Sequence, residues 1–175
     1  SRPGAGTTEA ERFTAVTIGG ARRTLFLANS YFVPDRALRR RLTAAAARGV
    51  DVRVLVPGPV NDVPGARWAG QRGFDELLAA GVRIFEYQGT MMHAKTLVVD
   101  GVWSAVGSVN LDNRSLRLNE EWALVAHDAA LGARLDSLFR ADLGRARERT
   151  LAAHRSRPLR ERLREALSAL LAPFL

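Results

Sequence analysis

A hairpin signal within Met92–Glu121 constrains the fold more than any other feature of this 175-residue chain. Asp100 and Gly101 form a dipeptide that is typical of the tight turn between two antiparallel strands. Apolar runs lie on either side of the dipeptide, at His93–Val99 and at Val102–Val106. The sequence therefore predicts two paired strands in this part of the chain.

Polar residues suited to phosphate chemistry cluster at the open end of this hairpin. His93 and Lys95 are two positions apart, so on a strand they would project from the same face. Gly107, Ser108 and Asn110 follow the second strand. An imidazole, an ammonium, an amide and a hydroxyl would then meet in one small region, and together they can grip a phosphate and attack it.

Outside the hairpin, short apolar runs alternate with helical segments of about a dozen residues. The sequence predicts strands and helices, in chain order, at Glu9–Arg23 (helix), Thr24–Ala28 (strand), Arg36–Arg48 (helix, capped by Asp35), Val50–Val56 (strand), Ala66–Ala80 (helix), Val82–Tyr87 (strand), Trp122–Ala126 (strand) and Ala129–Arg149 (helix). Such alternation favours βαβ units. The predicted fold is α/β, with a mixed, largely parallel sheet and helices on both faces.

Composition narrows the function classes without selecting one. The net charge of +8, from 26 Lys and Arg against 18 Asp and Glu, favours anionic partners such as phosphodiesters, nucleic acid or an acidic membrane. A general bias toward Ala and Arg explains the same excess. The absence of Cys excludes disulfides and thiolate metal sites. No run of about 18 apolar residues occurs, so no transmembrane helix is predicted.

The tail differs from the rest of the chain. From Pro158 to Leu175, leucines recur at helical spacing with arginines between them, which predicts a basic amphipathic helix. Two interpretations stay open: contact with an anionic membrane surface, or docking on this domain or on a missing neighbour. The chain is thus divided into a linker or cloning remnant at 1–8, a catalytic half-domain at 9–150 and an extension at 151–175.

The chemistry of the cluster needs neither a metal nor a cofactor. Displacement at a phosphodiester requires a nucleophile, an acid for the leaving group and fixed positive charge near the phosphate oxygens. His93 can be the nucleophile or the general acid and base, Lys95 supplies charge, and Ser108 and Asn110 donate hydrogen bonds. Gly107 lets the backbone approach the phosphate. Each residue taken alone also has an ordinary structural explanation, and it is their conjunction that indicates a site.

Two acidic positions belong to the same prediction. Asp100 is five residues beyond Lys95, so on a regular strand it faces the opposite way, and at a turn it is a more plausible structural acceptor or ion-pair partner than a catalyst. A useful imidazole also needs an acceptor for one of its nitrogens. Glu121 or Glu120, on the next strand, could hold His93 in this way. The other histidines, His127 and His154, have no companion motif and receive no role.

The spacing also carries a family resemblance. His93-x-Lys95-x4-Asp100, with Gly107-Ser108-x-Asn110 six residues later, resembles the H-x-K-x4-D-x6-G-S-x-N signature of the phospholipase D superfamily. Segments that are similar to the second half of bacterial cardiolipin synthases are Tyr31–Asp35, Arg48–Val52, His93–Thr96 and Asn113–Glu121. The resemblance covers nearly the whole chain, from about Glu9 to Leu175.

This resemblance implies a phospholipase D-like half and assigns roles within it. His93 matches the active histidine, Lys95 and Asn110 match phosphate ligands, and Ser108 lies beside them. Asp100 completes the motif with a chiefly structural role.

The acidic residue that holds the histidine ring in the family is matched by Glu121. One departure from the family is Glu120, where the synthases usually have an apolar residue.

The family's active site combines two such motifs, whereas the His-x-Lys pattern occurs once in this sequence. Either an N-terminal half is missing from this chain, or two identical chains each contribute one motif. The non-Met start and the match to a second half favour the first option, and His93 would then be the general acid and base.

The resemblance implies phosphatidyl transfer with phosphatidylglycerol as substrate, through a phosphohistidine. It also implies peripheral membrane association, with an anchor, if any, in a segment absent from this chain. The alternatives are a homodimeric endonuclease of the same superfamily, for which nucleic acid is the less favoured partner, and a catalytically incomplete fragment that only binds phosphate.

Overall fold

The computed structural model describes residues 8–170, in which strands and helices alternate over most of the length. In chain order the elements are α1 (Glu9–Gly20), β1 (Thr24–Asn29), α2 (Arg36–Ala47), β2 (Asp51–Pro57), α3 (Pro64–Gln71), α4 (Phe74–Ala79), β3 (Arg83–Tyr87), β4 (Lys95–Val99), β5 (Trp103–Gly107), α5 (Asn113–Arg117), β6 (Ala123–His127), α6 (Ala129–Leu143), β7 (Ala146–Arg149), α7 (Leu151–Arg155) and α8 (Leu159–Ala169). The strands form one sheet in the order β6-β5-β4-β1-β2-β3-β7.

The sheet is mixed, as predicted, but it is not largely parallel. β1, β2 and β3 pair in parallel. The other four pairings, β1 with β4, β4 with β5, β5 with β6 and β3 with β7, are antiparallel. The prediction of a largely parallel sheet is wrong because β4, β6 and β7 run opposite to β1, β2 and β3, so every pairing that involves another strand is antiparallel.

Helices cover both faces of the sheet, which confirms that part of the prediction. Along β1, Leu25 and Leu27 face a core that contains residues of α1, α2 and α4. Phe26 and Ala28 point to the other face, where the Phe26 ring stacks on Phe139 of α6 with centroids 4.9 Å apart. Because both faces of the strand are buried, its sequence is a continuous apolar run. Each fully buried Leu or Phe side chain contributes about 1.5–3 kcal/mol to the free energy of unfolding.

The ends of α2 follow the predicted signals. Asp35 caps the helix by accepting a hydrogen bond from the Leu38 backbone N–H at 2.7 Å. Gly49 follows the helix with φ of +86°, a conformation that favours glycine. The predicted helix at Glu9–Arg23 is also present, although α1 already ends at Gly20.

The predicted helix at Ala66–Ala80 is wrong in one respect, because it is two helices. α3 starts earlier, at Pro64, a residue suited to the first turn. Arg72 and Gly73 separate it from α4. Close packing accompanies the break, since a Cβ on Gly70 would lie 2.1 Å from the Phe32 carbonyl oxygen.

The predicted helix at Ala129–Arg149 is too long. α6 ends at Leu143, and the remainder forms the edge strand β7. The side chains of β7 are held by partners on β3: Glu148 binds Arg83 at 2.8 Å, and Arg149 binds the buried carboxylate of Glu86 at 2.9 Å. The short helices α5 and α7 were not predicted either.

The tail forms a helix as predicted, and α8 packs against α3. The interpretation that the tail docks on this domain is therefore confirmed for residues 159–169, while residues 171–175 lie outside the described part of the chain. No helix within residues 8–170 is both long and apolar enough to cross a membrane.

His154, in α7, is fully buried, and its ring centroid lies 6.1 Å from that of Phe74 in α4. Neither ring nitrogen has a hydrogen-bond partner among the described residues. Burial lowers the pKa of His154 to about 4, with a further contribution from the Arg157 guanidinium. The folded state therefore holds this histidine neutral.

We expect His154 to make the protein less stable as the pH falls from about 6.5 to about 4. In this window the unfolded chain binds a proton that the folded chain cannot, so unfolding becomes more favourable, by up to about 3 kcal/mol. Urea unfolding at several pH values measures this loss. In His154→Leu the loss between pH 6.5 and 4 should be smaller by that amount, and parallel curves for the two proteins would contradict the prediction.

Candidate active site

His93 lies in the loop before β4, and not in the strand, because β4 begins at Lys95. The expectation that both project from one strand is therefore wrong. The two residues are nevertheless brought together by Tyr31. The His93 ring meets the Tyr31 ring edge-on with centroids 5.7 Å apart, and Lys95 Nζ lies 5.7 Å from the same ring centroid. Lys95 Nζ also donates to the His93 carbonyl oxygen at 3.1 Å.

Tyr31 is itself fixed by an acidic residue that the sequence analysis did not assign to the site. Its hydroxyl donates to Asp62 Oδ2 at 2.6 Å. Burial and the Asp62 carboxylate raise the pKa of Tyr31 to about 12, and the hydrogen bond from Tyr31 lowers the pKa of Asp62. The available signal for Asp62 was its polar loop after β2, because ligand sites lie beyond the carboxyl ends of parallel strands.

Ser108 and Glu121 meet beside the start of β4. Thr96 pairs with Val106 across the hairpin, which places the residues after β5 next to Lys95. The Ser108 hydroxyl donates to Glu121 Oε2, and Asn119 Nδ2 donates to Glu121 Oε1 at 3.2 Å.

The described hydrogen bonds of Glu121 thus go to neighbours of the cluster, and its predicted role in holding the His93 ring stays a prediction. Glu120 is exposed.

Asn110 is held from two sides. Its Oδ1 accepts a hydrogen bond from Ser30 Oγ at 2.9 Å, and its Nδ2 donates to Ser115 Oγ at 3.4 Å. Ser115 belongs to α5, whose N-terminus is capped by the buried Asp112. Ser30 follows Asn29, which pairs with Lys95. The structure therefore brings Asn110 to the end of the sheet where Lys95 lies.

Lys95 is half-buried and is the sole lysine of the sequence. Desolvation lowers the pKa of its ammonium group below the ordinary value, although the carboxylates of Asp62, Glu121 and Asp112 act in the opposite direction. A cation that is partly withdrawn from water gains more from an approaching anion than a fully solvated one does. This environment suits a phosphate ligand.

The pKa of Lys95 can be measured directly because no other lysine is present. We expect a ¹³C-dimethyl label on Lys95 to titrate at a lower pH than the same label on the urea-unfolded chain. Inorganic phosphate should raise this pKa, since a bound anion stabilises the charged form. NMR follows both changes, with the labelled N-terminal amine as the internal control. A folded-state pKa at or above the unfolded one would contradict the prediction.

Gly107 has a structural reason to be glycine that the sequence analysis did not foresee. A Cβ at this position would lie 2.2 Å from the Trp122 carbonyl oxygen and 2.7 Å from Ala123 Cα. The glycine therefore permits β6 to pair closely with β5. Its predicted role in letting the backbone approach a phosphate stays a prediction.

Asp100 lies in the β4–β5 turn, about 16 Å along the strand from Lys95. Its carboxylate accepts hydrogen bonds from the backbone N–H groups of Arg22, Arg23 and Thr24 at 3.0, 2.7 and 2.8 Å. Burial would raise the pKa of Asp100, but these hydrogen bonds outweigh it and the pKa is lowered. This position fits a structural acceptor and places Asp100 away from His93.

Asp100→Ala should destabilise the domain without altering the cluster around Lys95. It removes the acceptor of three backbone N–H groups and puts alanine at φ of +54°, so we expect a loss of about 1–2 kcal/mol in the free energy of unfolding. Urea denaturation measures this loss, with Glu9→Ala, at an exposed position of α1, as the control. If the folded variant kept its stability but lost activity, Asp100 would have a catalytic role after all.

Comparison with known proteins now decides the family. The sequence profile described as "Cardiolipin synthase, PLD-like domain" matches residues 15–143, well over half of the chain. This chain belongs to that family. The match contains the whole hairpin together with His93, Lys95, Ser108, Asn110 and Glu121. Cardiolipin synthase A from Citrobacter koseri is 41% identical to the chain over 155 residues, which are 89% of this chain and 32% of that protein.

Solved structures agree with the fold. Nuc from Salmonella typhimurium, a phospholipase D family member, superposes with a TM-score of 0.70 at 19% identity, over 79% of this chain and 90% of that one. Phosphatidylserine synthase from Haemophilus influenzae superposes with a TM-score of 0.73 at 13% identity, over 99% of this chain and 46% of that one. The phospholipase D-like fold is thereby confirmed. The chain spans about a third of the length of the curated synthase that it matches.

Proposed function

We propose that this chain provides one of the two motifs of a cardiolipin synthase-type active site. One observation carries the proposal: the half-buried ammonium of Lys95 lies beside His93 and at the same end of the sheet as Asn110 and Ser108. That arrangement occurs in a chain that is 41% identical to Cardiolipin synthase A. Phosphate binding with an adjacent imidazole is what phosphatidyl transfer requires.

The proposed reaction has two steps. A histidine nitrogen attacks the phosphorus of one phosphatidylglycerol, so that a P–N bond forms and the P–O bond to the glycerol head group breaks. The departing glycerol oxygen takes a proton from a second, protonated histidine. That second histidine then removes a proton from the hydroxyl of another phosphatidylglycerol, whose oxygen attacks phosphorus and breaks the P–N bond. The products are cardiolipin and glycerol.

We assign His93 the proton-transfer role and Lys95 the charge that stabilises the phosphoryl oxygens. Asn110 and Ser108 are proposed as neutral donors to the same oxygens. The Ser108 hydroxyl donates its one proton to the Glu121 carboxylate, so it can donate to a phosphoryl oxygen only after that hydrogen bond has broken. The histidine that becomes phosphorylated would come from a second unit of the same kind.

We propose an apolar edge of the sheet as the place for that second unit. We define the β6 edge as Trp122, Leu124 and Val125, at or in the last strand of the sheet. Trp122 and Leu124 are 67% and 63% exposed, which is unusual for large apolar side chains close together, and β6 pairs with no further strand among residues 8–170. The Trp122 backbone N–H donates to Ser108 Oγ at 3.1 Å, so this edge borders the site.

The second unit can have one of two sources. It is either the other half of a longer protein or a second copy of this chain. Sedimentation equilibrium separates them, because self-pairing through the β6 edge predicts a dimer that Trp122→Asp with Leu124→Asp converts to monomer. A monomer at high concentration would leave the other half as the partner.

The substrate class is tested by offering two phosphodiesters to the same preparation of the complete protein. We expect phosphatidylglycerol vesicles to yield cardiolipin and glycerol, and plasmid DNA to remain intact. Cleavage of DNA without turnover of lipid would overturn the proposal in favour of a nuclease. Saturable phosphate binding without turnover of either substrate would instead indicate a binding unit that is catalytically incomplete.

A further inference from the structure

Helix α8 exposes a continuous row of leucines. We define the leucine stripe as Leu159, Leu163, Leu167 and Leu170, whose exposed fractions lie between 58% and 77%. Their spacing of four, four and three residues places them on one face of the helix. Single exposed leucines are ordinary on protein surfaces, but four aligned on one face form a patch that calls for a partner.

The orientation of this stripe is fixed by the opposite face of the helix. Glu165 is buried and binds the Arg157 guanidinium through both carboxylate oxygens, at 2.7 and 2.6 Å. Arg164 lies over the Trp68 ring of α3, 5.3 Å from its centroid. Because these contacts attach α8 to the domain, the leucines are directed away from it.

Arginines border the stripe on both sides. At 100° per residue, Arg160 and Arg164 lie on one side of the leucines and Arg162 on the other, and all three are exposed.

On the Arg164 side, the helix flanks a cleft of about 320 Å³ whose charged lining residues are Arg67, Arg147, Arg149, Arg164, Glu86 and Glu161. Four arginines against two glutamates give this lining a charge of +2. The surroundings of the stripe are therefore cationic.

We propose that α8 docks on an anionic phospholipid surface. The leucine stripe enters the boundary between head groups and acyl chains, while the flanking arginines bind lipid phosphates. An apolar face bordered by arginines is the pattern of a helix that lies in the plane of a membrane interface. Because exposed arginines lie on both sides of the leucines, their positive charge complements a surface that is negative throughout, as an anionic lipid surface is.

One helix links α8 to the candidate active site. α8 packs on α3, which begins at Pro64, and Asp62 of the site is two residues earlier. The proposal goes beyond the reaction at His93 and does not depend on it.

Vesicle co-sedimentation of the chain tests the proposal. We expect binding to phosphatidylcholine vesicles that contain phosphatidylglycerol, weak binding to pure phosphatidylcholine, and weaker binding as salt increases. Leu163→Gln with Leu167→Gln should lower the partition coefficient at least about tenfold, because two large apolar side chains no longer enter the boundary. Arg160→Gln with Arg162→Gln should reduce binding to the anionic vesicles by about tenfold or more.

Matched double variants serve as controls. Leu131→Gln with Leu138→Gln removes two exposed leucines of α6, and Arg36→Gln with Arg40→Gln removes the same charge from α2. Both should bind vesicles as the unaltered chain does. The proposal would be overturned if the unaltered chain did not bind anionic vesicles, or if the control pairs lost as much binding as the α8 pairs. It would also be overturned if the α8 leucine pair changed only the oligomeric state of the protein and not its binding to vesicles.

Discussion

We expect His93→Ala in the complete enzyme to lower the rate of glycerol release from phosphatidylglycerol by about 10²- to 10⁴-fold. This range is what a positioned general acid and base typically contributes. The ring is held edge-on against Tyr31 in an exposed loop, so its removal should leave the fold intact. Initial rates with vesicle substrate, measured beside circular dichroism spectra, separate catalysis from folding.

The matched control is His127→Ala, because this exposed histidine lies at the far end of β6, opposite Trp103. It should retain the full rate. Added imidazole should restore part of the activity of His93→Ala if the missing group transfers protons. A His93→Ala enzyme that stays within about threefold of the normal rate would remove His93 from the reaction.

Lys95→Ala should be nearly as harmful, with a fall in kcat of about 10²- to 10³-fold. The sole lysine lies where negative charge would collect on the phosphoryl oxygens, and its partial burial strengthens that interaction. Because the charge acts mainly in the transition state, kcat should fall more than KM rises. Steady-state kinetics with mixed vesicles of varied phosphatidylglycerol content measure the two constants separately.

Lys95→Arg restores a cation of different shape and should recover only part of the rate, since a planar guanidinium cannot replace a point charge in the same space. Arg22→Ala is the control for loss of one positive charge, as this exposed residue lies near Asp100 at the opposite end of the sheet. If Arg22→Ala lowered kcat as much as Lys95→Ala, the effect would be one of overall charge and not of the site.

The hairpin and its polar residues could be predicted because the information is local. Asp100-Gly101 fixes the turn, the apolar runs fix the strands, and the residues that follow each strand must lie near its end. The strands β1 and β2 could be predicted for the same reason, because each is an apolar run in the local sequence. Tyr31 and Asp62 were missed as site residues because their meeting depends on how two loops at the ends of parallel strands fold toward one another.

The errors arose where partners distant in sequence decide the structure. β7 reads Ala-Arg-Glu-Arg, which has no apolar alternation, and it is a strand because Arg149 and Glu148 bind residues of β3 more than 60 positions away. The break between α3 and α4 accompanies the close approach of Gly70 to Phe32. Likewise, helical spacing predicted the leucine stripe of α8, but only the packing of Glu165 shows which face is exposed.

The most direct test of the account is to trap the reaction intermediate. Phosphatidylglycerol labelled at phosphorus is mixed with the complete protein, and the first turnover is quenched in alkali. We predict protein-bound label that is stable to alkali, is released by acid as a phosphohistidine requires, and forms more slowly in His93→Ala in proportion to the loss of turnover. Cardiolipin formed at the normal rate without such label, or with label that survives acid, would contradict phosphatidyl transfer through histidine.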